Sequence, residues 1–179
     1  SFLSNLKVPF EKIYHTSHGI SRPRRSAKSL VENLPVNVRL QLQAGDVGDF
    51  QLPAGNYKVY ENNNNQLTYV GSGYSSIKSE EEKIKIETGS TRDILCSFTL
   101  NEYEVNKNDG KAEVTAKFKN QKDKAVEIEW IENFRDGRWK ITHSTQDYEK
   151  LDAYYVKFIV KIPAKKEKEL SFKAKFERG

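Results

Sequence analysis

The stretch Ala112–Phe134, AEVTAKFKNQKDKAVEIEWIENF, decides the fold class. Ala112, Val114, Ala116 and Phe118 alternate with polar residues, and Val126, Ile128 and Trp130 alternate with Glu127 and Glu129. Alternation of this kind gives a strand one dry face and one wet face. The polar turn between the runs, Asn120 to Lys124, predicts a β-hairpin.

Working outward, Tyr154, Val156, Phe158, Val160 and Ile162 repeat the pattern, as do Leu170, Phe172, Ala174 and Phe176. Ile94, Cys96, Phe98 and Leu100 precede it, and Val36, Val38, Leu40 and Leu42 form an earlier run. Tyr57–Tyr60 and Leu67–Val70 flank Asn62 to Asn65. Asparagine tolerates left-handed backbone angles, so this tract predicts a hairpin tip. Ile84 and Ile86 give a short strand closed by Gly89. Strands recur about every 10 to 15 residues, with turn residues between them. The expectation is an all-β chain of antiparallel β-sandwiches with little helix, its carboxy-terminal half immunoglobulin-like. The one helical candidate is Gln146–Ala153. Two domains are expected, 1–90 and 91–179, parted near Gly89 and Ser90. Phe118, Val126, Ile128, Trp130, Phe158, Val160 and Phe172 are the expected core.

A chain of 179 residues suffices for one large or two small domains. Net charge is +5 and the pI about 9.1. Lysines and glutamates mix on the polar faces, which favours solubility and discourages edge-to-edge pairing. No basic stripe with interleaved aromatics argues for nucleic acid, so none is expected as a partner. No apolar run reaches the roughly 18 residues of a spanning helix, and no signal peptide is visible. The single cysteine, Cys96, lies on an alternating apolar run, which reads as a small buried hydrophobe rather than a nucleophile.

Candidate sites are few. Residues 17–30 hold Arg22, Arg24, Arg25 and Lys28 with Gly19 and Pro23, and read as an exposed loop that could grip an anion. His15 and His18 are three apart, which in a strand puts the rings on opposite faces. They read as loop or surface histidines, and His143 has no partner in the pattern. Asp46 and Asp49 lack calcium-loop spacing and read as turn residues. Trp130 is expected in the core and Trp139, after a turn, partly exposed. No catalytic set, metal or cofactor is expected.

Leu52-Pro-Ala-Gly55 followed by Tyr57-Lys-Val-Tyr60 resembles a segment of the bacterial domain of unknown function family 4139, the mucoidy-inhibitor-A-like proteins. Leu67–Val70 with Gly71, and Gly89 to Ile94 with Asp93, are similar to its next segments. So are Phe118-Lys-Asn-Gln-Lys122, Val126–Trp130, Trp139-Lys-Ile141 and the runs 153–162 and 169–177. One departure is Ala44-Gly45, where the family often has an Asn-containing turn. The resemblance implies the carboxy-terminal portion of a longer protein, placed in the cell envelope, the periplasm or outside the cell. The family has no established reaction. It therefore implies a non-enzymatic interaction or spacer module with a protein partner. The alternative is a glycan- or anionic-lipid-binding module using the basic loop.

Overall fold

The computed structural model describes residues 9–20, 29–43, 54–75, 83–105, 109–134 and 138–177. They form strands β1 (Glu11–Ile20), β2 (Ser29–Gln43), β3 (Gly55–Asn63), β4 (Gln66–Ser75), β5 (Lys83–Val105) and β6 (Asp109–Asn120). After these come β7 (Val126–Phe134), β8 (Trp139–Ser144), β9 (Tyr148–Lys150), β10 (Tyr155–Ile162) and β11 (Glu167–Glu177). The protein is all-β: none of the described residues is helical. Gln146–Ala153, the helical candidate, is bend and the short strand β9, because Lys150 and Tyr148 pair with Val156 and Phe158.

The hydrogen-bonded order is β8-β11-β6-β5-β2-β1-β7-β10-β9, with β3 paired to β4 and β4 to β5. The chain clusters into two units. One comprises Ser1–Ile13 and Asn37–Ser90, the other Tyr14–Val36 and Thr91–Gly179. The division at Ser90 falls inside β5, a single strand of 23 residues rather than the two expected. Gly89, at φ +93°, takes a backbone angle there that side chains disfavour. Tyr14–Val36, expected within a first domain of 1–90, belong to the second unit. The reason is a long-range pairing: Tyr14–Ile20 run parallel to Ile128–Phe134. The sheet is therefore mixed, not wholly antiparallel.

In the second unit the central hairpin is not one. β6 pairs with β5 and β11, whereas β7 pairs with β1 and β10. Residues 121–125 form an arch between two layers, and Pro163–Lys166 form a second arch from β10 to β11. Alternation reports which face of a strand is dry, not which strand lies beside it. Asn120 decides the matter here. Its buried amide Nδ2 donates to the carbonyls of Lys124 (2.8 Å), Pro163 (3.0 Å) and Ile162 (3.3 Å). Its Oδ1 accepts the Lys122 backbone N–H at 3.0 Å. Main-chain bonds Asn120 N to Lys166 O and Lys165 N to Lys122 O run between the same two arches.

The facing layers enclose an aromatic core. Phe118 meets Trp130 edge-on at 5.9 Å, and Phe158 stacks on Phe172 at 5.0 Å. All seven expected core residues are buried. Tyr154 is not part of the β10 alternation; it precedes the strand and is exposed.

Candidate functional site

In the first unit, β3 and β4 form a hairpin whose tip is the predicted asparagine tract. Asn63 faces Gln66, and Asn64 and Asn65 take φ of 52° and 66°. Positive φ at both central residues is the requirement of a type I′ turn, which asparagine meets cheaply. A bulge at Val59/Tyr60 shifts the register by one residue, so that Tyr60 faces Tyr69, Asn62 faces Leu67 and Asn56 faces Tyr74. The four large side chains Tyr60, Leu67, Tyr69 and Tyr74 thereby share one face, and all are exposed, by 49, 66, 53 and 63%. Tyr60 and Tyr69 meet edge-on at 5.6 Å.

The opposite face explains why the aromatic one is turned to solvent. Gly71 and Gly73 lie there, against the backbone of β5. A Cβ at Gly73 would come within 2.7 Å of the Lys85 carbonyl oxygen, and one at Gly71 would collide with Glu87 O and Thr88 Cα. Only hydrogen side chains permit this approach. Ser72 pairs with Glu87 at the crossing. The outer edge of β3 has no strand partner among the described residues.

The sequence reading missed a second cluster, in the other unit. Glu132 is completely buried. Its Oε2 accepts Trp130 Nε1–H at 3.0 Å, and its Oε1 lies 3.1 Å from His18 Nδ1. His18 stacks on Phe98 with ring centroids 3.6 Å apart. The expected surface histidine is thus packed into the core rim, because the parallel register sets His18 directly opposite Glu132. The signal was present in the alternation: Glu132 occupies the dry phase between Trp130 and Phe134. A buried carboxylate needs donors, and here they tie β1 to β7. His15, on the wet phase, is half-buried.

Of the other candidates, Arg22, Arg24, Arg25 and Lys28 lie outside the described residues, as do Asp46 and Asp49. Of the loop expected over 17–30, residues 17–20 belong to β1 and residues 29–30 to β2. His143 is exposed on β8, opposite Lys173. Cys96 is buried, and burial pushes its thiol up to about 12, far from a reactive thiolate. Trp130 is fully buried. Trp139 is half-buried, stacked on Phe134 at 4.5 Å, with its indole N–H donated to Ala153 O at 2.7 Å. Lys150 Nζ stands 4.8 Å from its ring centroid. Among the described residues no helix is long and apolar enough to cross a membrane, and no group of three or more His, Cys, Asp or Glu could hold a metal ion.

Compared with protein-family models, with curated proteins and with solved structures, the chain finds no match in any of the three.

Proposed function

We propose that the chain is a non-enzymatic interaction or spacer module of a bacterial cell-envelope or secreted protein, and that it contacts a protein partner through the β3–β4 hairpin. The observation that carries this is the shared exposed face of Tyr60, Leu67, Tyr69 and Tyr74. Tyrosine supplies large contact area at low entropic cost and a polar tip for hydrogen bonds, which is why interfaces favour it. The adjoining edge of β3 offers unpaired backbone groups that a strand of the partner can extend. The envelope setting rests on the resemblance to the family 4139 proteins.

A photo-crosslinking residue in place of Tyr69, in the native host, tests the proposal. One defined adduct with an envelope protein is expected, lost when Tyr60→Ser and Tyr74→Ser are added. The same adduct from an equivalent probe at Tyr148, exposed in the other unit, or an adduct that survives the double substitution, overturns it.

A further inference from the structure

On the wet faces of the second unit lysines as a rule face a carboxylate across the ladder, although the acids Glu102 and Glu113 face each other, as do Asp109 and Glu177. Lys117 faces Glu169 across the ladder, Lys119 faces Glu167, and Lys173 faces Glu113, with ion pairs of 3.7, 3.0 and 2.9 Å. In the other layer Lys161 faces Glu127 at 3.1 Å and Lys157 faces Glu149 at 2.7 Å. Lys175 breaks the rule twice. Its neighbour on β6 is Lys111, and its neighbour on β8 is Lys140. Like charges directly opposite each other destabilise a sheet. Lys111 is compensated on its far side by Glu104 and Glu102, at 3.1 and 3.3 Å, which hold its ammonium above the ordinary lysine value. Among the described residues, Lys175, Lys140 and nearby Arg138 make no ion pair.

Lysine on an outermost strand commonly keeps the edge from pairing. That accounts for Lys140 on β8. It does not account for Lys175, whose strand is covered on both sides. The three cations line an open depression of about 490 Å³, within the size range of small-molecule sites. Glu104, Asp109 and Glu177 share its lining. Carboxylates can only accept hydrogen bonds, and the ammonium and guanidinium groups can only donate. A bare anion would satisfy the cations and be repelled by the acids. A ligand with one oxyanion and several hydroxyls satisfies both.

From this we infer that the β6–β11–β8 face binds an anionic sugar of monosaccharide size, a uronate or a sugar phosphate. Lys140, Lys175 and Arg138 take its oxyanion, with the Arg138 fork suited to two of its oxygens. Glu104, Asp109 and Glu177 accept from its hydroxyls.

Calorimetric titration of the full chain at low ionic strength is the test, with glucuronate, glucose 6-phosphate, glucose and inorganic phosphate as probes. At least one of the two hexose anions should bind at millimolar concentration or below, more tightly than glucose or phosphate. Which of them binds identifies the oxyanion. The Lys140→Ala/Lys175→Ala variant should lose affinity at least about tenfold with no fall in Tm, since both side chains are exposed. Phosphate or glucose binding as tightly as the better of the two hexose anions, unchanged binding by the double variant, or no binding of either hexose anion overturns the inference.

Discussion

The Asn120 side-chain amide donates to the Pro163 carbonyl at 3.0 Å, and this bond holds side by side the two arches that join the facing layers. Asn120 is 99% buried, and both ends of its amide are used. Asn120→Ala leaves carbonyls of both arches and the Lys122 N–H without that partner. The expected loss in urea melts is about 3 kcal/mol. Asn120→Asp should be no milder, since it keeps the acceptor for Lys122 but turns an oxygen toward carbonyls. A loss below about 0.5 kcal/mol for the alanine variant would falsify this role.

Glu132 binds two donors from different strands, so its removal orphans both. Glu132→Ala is expected to cost about 3–5 kcal/mol. His18→Ala should cost less, because Trp130 still serves the carboxylate. The double variant should fall short of the sum by about 1–3 kcal/mol, the signature of direct contact. Strict additivity in guanidinium melts would show that the pair is merely adjacent.

The hairpin of the first unit rests on Gly73. Gly73→Ala drives a methyl group into the Lys85 carbonyl and Ile86, and overpacking of this kind costs about 1–3 kcal/mol. The exposed face should behave differently: Tyr69→Ser is expected to change stability by less than about 0.5 kcal/mol. Thermal melts of the two variants give the comparison. Equal losses would mean that the tyrosine face is packed.

Cys96 sets an alkaline limit. Its thiol goes from an ordinary 9.0 to about 12 by burial, so the folded state keeps a proton that the unfolded state releases. Stability contributed by the protonated form is present below pH 9 and falls as pH rises from about 9 to 12. Cys96→Ala should flatten this part of the pH profile. In the native protein the thiol should also resist a disulfide-exchange reagent at pH 8 and react after unfolding.

Alternation in the sequence determined most of the strands, their dry faces and the core, but not the end of β1, which reads as loop, nor β9, which reads as helix. Phe118, Trp130, Phe158 and Phe172 are buried because their phase in each run allows nothing else. The asparagine tract determined its own turn, since few other residues accept two left-handed positions in succession. Local pattern carries no record of which strand becomes whose neighbour, and that is what the tertiary structure decided. It made an arch of the 121–125 connection, where Asn120 ties it to the Pro163 turn. It drew Tyr14–Val36 into the second unit through a parallel pairing more than a hundred residues away in the chain, and so set His18 opposite Glu132. It also aligned Lys111, Lys175 and Lys140 in one row. Each of the three alternates normally along its own strand, so only the register across the sheet brings the like charges together.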